Sequence, residues 1–240
     1  MMLESYTGVY GKVSAQWTDA NKEVLSKTFE SINNHFARML SYSVNVTDES
    51  FASYTASIYH QKYSGYFKRN RESFHSYLGS VHTIQNKDCR IAVDSEKRMI
   101  MISDPVDYLT QVMPVESYTA LLKICTKVLE SHSENGTTYR LEFNSKNPVA
   151  AYEITIKDSL PEKIVVYYAK SIKAPNENAP DKPKLEVYFS NWVINTTQSK
   201  EDFDLEKYIE KKGNNYVLKP PYSVKYKLLD ERVLTRNEKK

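Results

Sequence analysis

Tyr139-Arg140-Leu141-Glu142-Phe143, Tyr152-Glu153-Ile154-Thr155-Ile156, Ile164-Val165-Val166-Tyr167-Tyr168 and Leu185-Glu186-Val187-Tyr188-Phe189 decide the fold of this chain. In the first, Tyr139, Leu141 and Phe143 alternate with Arg140 and Glu142. In the second, Tyr152, Ile154 and Ile156 alternate with Glu153 and Thr155. Ile164, Val166 and Tyr168 continue the pattern, and Leu185, Val187 and Phe189 close it. A period of two sends one set to a covered face and the other toward water. Lys157-Asp158-Ser159-Leu160-Pro161-Glu162 reads as a polar turn, with a proline that does not suit a central strand. The segments therefore form an antiparallel meander with one face that something must cover.

Upstream, Leu25, Phe29, Ile32, Phe36 and Met39 recur at helical spacing, with Thr18 or Asp19 as the cap and Glu23 in the first turn. This amphipathic helix is the obvious cover for the sheet. From Ser41 to Pro105 the period returns to two, with strands expected at Tyr42–Val46, Tyr54–His60, Gly65–Phe67, on either side of Gly79, and as a hairpin around Asp94–Lys97. Pro114 opens a second helix carrying Tyr118, Leu121, Leu122, Cys125, Val128 and Leu129, which Asn135-Gly136 stops. Lys173–Lys184, with Pro175, Pro180 and Pro183, reads as a surface loop. Beyond Asn195, Phe203, Leu205, Tyr208 and Ile209 suggest a docking segment, and Val224–Leu229 a last strand.

The fold class is α+β: a strongly curved antiparallel sheet wrapping about two helices. Residues 1–17 read as a lead-in, 18–230 as one domain and 231–240 as a charged, disordered tail.

Composition narrows the function. The 240 residues are 40% hydrophobic and 26% charged, and 33 Lys+Arg against 30 Asp+Glu leave a net charge of +3. That balance gives no nucleic-acid footprint. The basic stretches Lys68-Arg69-Asn70-Arg71 and Arg236–Lys240 read as solvated surface. No apolar run is long enough to span a membrane. Met1–Trp17 lacks a basic region followed by an apolar one, so it does not read as a leader.

Catalytic signals are absent from the pattern. His60, His75 and His82, with Cys89 nearby, read as separate strand imidazoles rather than metal ligands. The acid pairs Asp48/Glu49 and Asp202/Asp204 read as helix caps and solvated turns rather than general acids. Ser-Lys pairs such as Ser223-Val224-Lys225 follow no strand-to-helix elbow. The 6 glycines make no phosphate loop. The expectation is no enzyme, no cofactor and no metal. Cys125 reads as a small buried hydrophobe, and pairing with Cys89 stays open. The 19 tyrosines stand out. Tyr54, Tyr59 and Tyr66 form a candidate interaction face, because a tyrosine ring is flat and apolar with a polar tip.

The order of elements resembles the LolA/LolB-type bacterial lipoprotein carriers. The likeness is carried by Lys22–Leu40 running into Tyr42–Val46, by Met99-Ile100-Met101-Ile102-Ser103-Asp104-Pro105, by Leu160-Pro161-Glu162-Lys163-Ile164, and by Leu185–Trp192 followed by Phe203. It covers roughly residues 20–210. It implies an open half-barrel with a helical lid, and a hydrophobic cavity for lipid or lipoprotein acyl chains. Leu25, Phe29, Ile32, Phe36, Leu121, Leu122, Ile154, Val166 and Val187 would line that cavity. The resemblance also implies a periplasmic location and an envelope protein partner, with the cytoplasm left open by the missing leader. The alternative is an interaction protein with a filled core that uses the Tyr54/Tyr59/Tyr66 face. An open apolar cleft favours the first reading and a packed interior the second.

Overall fold

A computed structural model describes residues 16–106, 115–170, 182–213 and 215–232, with side chains in the second helix from Ala120 onward. Most of the lead-in, Pro114, the greater part of the Lys173–Lys184 loop and the tail from 233 lie outside the described residues.

The strands are β1 (Thr18–Asp19), β2 (Ser41–Phe51), β3 (Gln61–Asn70), β4 (Ser73–Leu78), β5 (Val81–Gln85), β6 (Arg90–Asp94) and β7 (Met99–Ser103), then β8 (Lys127–Ser133), β9 (Gly136–Glu142), β10 (Val149–Lys157), β11 (Leu160–Tyr168) and β12 (Lys184–Ile194). β13 (Ile209–Lys212), β14 (Asn215–Leu218) and β15 (Lys227–Asp230) complete them. The helices are α1 (Lys22–Arg38), α2 (Val115–Ile124) and the short α3 (Tyr222–Lys225).

One sheet of 13 strands runs β1-β8-β9-β10-β11-β12-β2-β3-β4-β5-β6-β7-β15. It is antiparallel throughout except that β15 lies parallel to β7. Its end strands do not pair, so the curved sheet stays open. The meander read from sequence is β9 to β12, and β12 continues it by pairing with β2 from Lys184↔Phe51 to Ile194↔Tyr42.

α1 starts later than the sequence suggests. Asn21 is its cap, accepting from the Glu23 amide at 2.8 Å, while Thr18 and Asp19 pair with β8. Its stripe Leu25, Phe29, Ile32 and Phe36 is buried on the inner face of the sheet. The main core gathers there, with Tyr42, Val44, Val46, Phe74, Leu122, Cys125, Leu141, Ile154 and Phe189.

Four other readings need correction. Tyr54–His60 is not a strand: the His60 amide bonds back to the Ser50 carbonyl at 2.9 Å and closes a loop, and the alternation finds no partner strand. α2 stops at Ile124, so Val128 and Leu129 belong to β8, and Asn135-Gly136 turns a hairpin rather than ending a helix. Pro161 sits inside β11, opposite Ile156 at a register irregularity. Its carbonyl accepts from Trp192 Nε1 at 3.1 Å, and N and O of one residue point to the same side of an antiparallel strand. The missing N–H therefore faces a stretch where β12 makes no ladder with it, since that ladder begins at Lys163↔Tyr188. Finally, Val224 lies in α3 and only Lys227–Asp230 forms the last strand.

A second core lies on the outer face. Ile84, Cys89, Ile91, Val93, Ile100 and Ile102 meet Leu205 and Ile209, with Tyr208, Tyr216, Leu218, Tyr222, Tyr226 and Leu228 packed around them. The docking segment expected after Asn195 is thus a lid over β5–β7, on the side opposite α1.

Candidate functional site

The inner face of β10, β11, β12 and β2 is where the expected cavity residues fall. Paired residues share a face, so Ile154, Ile164, Val187 and Asp48 lie in one row across the four strands. Tyr152, Val166, Leu185 and Ser50 form the next row along. β2 keeps strict alternation against β3, so Tyr42, Val44, Val46, Asp48 and Ser50 all point inward, and Tyr63 stands opposite Asp48.

The nine expected residues divide into two environments. Leu25, Phe29, Ile32, Phe36 and Ile154 are only 0–2% exposed, and Leu122 is buried beside them. Phe36 meets Trp192 edge-on at 5.6 Å and Tyr42 at 5.9 Å between ring centroids. Phe29 meets Tyr139 at 6.4 Å. A void wide enough for an acyl chain would leave its wall side chains exposed surface, and these have almost none. Under α1 the interior is filled by the protein's own side chains. Leu121 and Val187 sit at the margin of this core, half-buried. Val166 lies outside it, half-buried in the row with Tyr152 and Leu185. The apolar inner face thus runs on past the α1 core as an accessible strip.

Ser50 ends that row on β2, and Asp48 lies one row nearer the core. Its Oδ1 is buried and has no hydrogen-bond partner among the described residues. Burial raises its pKa above the usual carboxylate range. Asp48 is thus an inward-facing strand residue of β2, not the solvated turn expected for it. The alternation Tyr42, Val44, Val46 is the signal that places Asp48 inward.

Polar contacts hold both ends and one side of α1, where Thr28 hydrogen-bonds Tyr139. Lys22 Nζ donates to the Cys125 carbonyl at 2.6 Å, and Asn195 Oδ1 accepts from the Leu40 amide at 3.0 Å. Arg69 Nη1 donates to the Phe36 carbonyl at 2.9 Å and its Nε to the Arg71 carbonyl at 2.9 Å. Arg69 is expected on the solvated surface; it is instead buried and caps the C-terminus of α1, where a cation is favoured. Lys68, from the same run, pairs with Asp202 at 2.9 Å.

The outer face of β9–β12, β2 and β3 carries cations set over aromatic rings. Arg140 lies 5.0 Å from the Tyr167 ring centre, Lys163 4.7 Å from Tyr188, and Lys184 4.5 Å from Phe51. Lys62 lies 5.3 Å from Tyr59, and Lys68 5.0 Å from Tyr66. Acids interleave: Glu153 takes Arg140 at 2.6 Å, Glu49 takes Lys62 at 2.7 Å, and Glu186 takes both Lys163 and Lys184 at 2.7 Å. Burial penalises the Glu186 carboxylate, but the hydrogen bonds from Lys163, Lys184 and Tyr188 outweigh it and hold its pKa down to about 2. The candidate tyrosines are spread over this surface. Tyr54 packs edge-on against Tyr167 at 5.1 Å, Tyr59 is exposed in the 52–60 loop, and Tyr66 stands on β3 beside His75 and Tyr77.

His75 and His82 come together, with ring centres 5.9 Å apart, under the segment that begins at Lys200. The His75 pKa is lowered to about 4, first by burial and then by His82. His60 is exposed and apart. No group of three His, Cys, Asp or Glu among the described residues is placed to hold a metal ion. Cys89 and Cys125 are both free thiols, one in each core.

No protein-family profile matches the chain, and no curated protein matches it in sequence. Solved structures do resemble it. An uncharacterized conserved protein from Thermus thermophilus is 11% identical with a TM-score of 0.43, over 75% of this chain and 92% of that one. A protein domain from Vibrio parahaemolyticus, described by its likeness to outer membrane lipoprotein-sorting proteins, is 8% identical with a TM-score of 0.35, over 78% and 98%. LprF from Mycobacterium bovis is 6% identical with a TM-score of 0.29, over 73% and 95%. The resemblance is one of fold alone, and residues and roles do not carry over from it.

Proposed function

We propose that this chain is a non-enzymatic binding protein of the bacterial envelope that holds an acyl chain, from a lipid or a lipoprotein, along the inner face of its open sheet. The observation that carries the reading is the division of the inner face. Under α1 the apolar residues are packed shut; along Tyr152, Val166 and Leu185 they are half-buried and reachable on the same face. Apolar side chains that line a concave surface without being covered favour an apolar ligand, because burying each methylene contributes about 0.8 kcal/mol. The site therefore lies beyond the α1 core rather than inside it. A longer chain would have to displace α1, whose hold on the sheet is mostly apolar and so replaceable by another apolar surface.

A fluorescent fatty-acid probe tests this. It should bind the delipidated protein saturably, and Val166→Asp should abolish binding by placing an unpaired charge in the strip while the variant still melts cooperatively. No binding at concentrations that saturate a known carrier would overturn the reading.

The outer face favours a second reading, that of an interaction protein. Five cation–aromatic pairs on one sheet face offer flat rings with fixed charges to a protein partner. In that case changes at Tyr59 and Lys62 weaken partner capture, and Val166→Asp leaves it intact.

A further inference from the structure

We propose that Asp48 receives the head of the acyl ligand and that this head carries a protonated amine or another N–H donor. The inference rests on the acyl reading above and names the ligand class for the same strip.

A carboxylate oxygen removed from water without a partner is expensive, and proteins rarely keep one. Asp48 Oδ1 is such an atom among the described residues. Its cross-strand neighbours give it nothing to bond. Val187 on β12 is apolar, and Tyr63 on β3 leans over the β4–β5 turn, where a Cβ on Gly79 would lie 3.0 Å from the Tyr63 ring. Along its own strand, Val46 is buried in the main core and Ser50 is half-buried. The charged pairs of β2 and β3 are on the other face, where Glu49 holds Lys62.

Position supplies the second observation. Asp48 lies where the packed core gives way to the accessible row, opposite Val187 and diagonal to Leu185, one row inward of the Ser50 that pairs with Leu185. A chain lying along Tyr152, Val166 and Leu185 arrives at Ser50 on β2, and its polar end is then one row, two residues along the strand, from this carboxylate. An N–H donor there supplies the missing hydrogen bond and, if charged, holds the carboxylate ionised against the upward pull of burial. A carboxylate head would set two like charges together in a poorly solvated place, so simple fatty acids should bind more weakly than amines of the same length.

The test uses the full chain at pH 7.5, with dodecylamine and laurate competing against one fluorescent acyl probe. The wild type should bind dodecylamine at least tenfold more tightly than laurate. In Asp48→Asn the two affinities should come within threefold, and the variant should melt no lower than the wild type, since an orphan charge has been removed. Equal affinities in the wild type, or a preference that survives in Asp48→Asn, overturn the head-group inference while leaving the acyl reading in place. Failure of both competitors and of the probe to bind overturns the acyl reading itself.

Discussion

Phe36→Ala is the perturbation that separates a filled core from a cavity under α1. Phe36 is 1% exposed, with its ring edge-on to Tyr42 and to Trp192. Truncating a buried phenylalanine costs about 3–5 kcal/mol, from lost transfer energy and the void left behind. The two ring contacts each carry roughly 0.5–1.5 kcal/mol beyond area burial, partly counted already in that figure. Trp192 is pinned by its bond to the Pro161 carbonyl, so the site cannot collapse freely. The expected loss is therefore about 4 kcal/mol. In urea, with a slope of about 2–3 kcal/mol/M, the midpoint should fall by roughly 1.3–2 M. The assay is equilibrium unfolding followed by tryptophan fluorescence and far-UV circular dichroism, with an unchanged slope as the check on two-state behaviour. A loss under about 1.5 kcal/mol would refute the filled core and return the cavity to the space beneath α1.

Arg69→Met should cost about 2–3 kcal/mol, since it removes charge-assisted bonds to the Phe36 and Arg71 carbonyls. Hydrogen exchange should show the loss first at the last turn of α1. Glu186 has a folded pKa held down to about 2 against a usual 4.5, so its contribution is present above pH 4.5 and lost as pH falls toward 2. Glu186→Gln should flatten acid unfolding curves in that window by about 2 kcal/mol, allowing for partial solvent screening. His75 has its pKa lowered from 6.5 to about 4, so its contribution to folding stability is fully present above pH 6.5 and up to about 3 kcal/mol of it is lost as pH falls from 6.5 through 4. A His75→Phe variant should lose that dependence, read as urea unfolding midpoints across pH 4–7.

The meander and α1 are legible because each declares its period over many residues, and a period fixes a face. The same logic fails where alternation has no partner. Tyr54, Ala56, Ile58 and His60 alternate well, yet Ile58 is 81% exposed because the chain there closes a loop. Val128 and Leu129 continue the spacing of α2, but the β8–β9 ladder prevails over a short helix whose turn signal, Asn135-Gly136, suits a hairpin equally well. Arg69 escapes local pattern because its partner, the Phe36 carbonyl, lies 33 residues away. The second core is hidden for a related reason. Its lid, Leu205 and Ile209, is over 100 residues from Ile91 and Ile102. One sign of it is present: Met99-Ile100-Met101-Ile102 is apolar on both faces, which a sheet covered on one side alone does not need. At the candidate site, face alternation places Val166 and Val187 on the inner face, and the reading of Asp48 as a solvated turn misses that the same alternation, carried on from Tyr42, Val44 and Val46, turns it inward; only the structure separates the shut portion of that face from the open one.

The claim that the acyl site is the strip beyond α1 is tested most directly by paramagnetic broadening. A spin-labelled fatty amine would be titrated into protein with isoleucine, leucine and valine methyls labelled for NMR. Val166, Leu185 and Val187 should broaden earliest, Ile32 beneath α1 and the outer-face Val165 later, and Ile100 should be spared. Broadening confined to Val165 or Ile100, or centred on Ile32 while Val166 stays sharp, would contradict the claim.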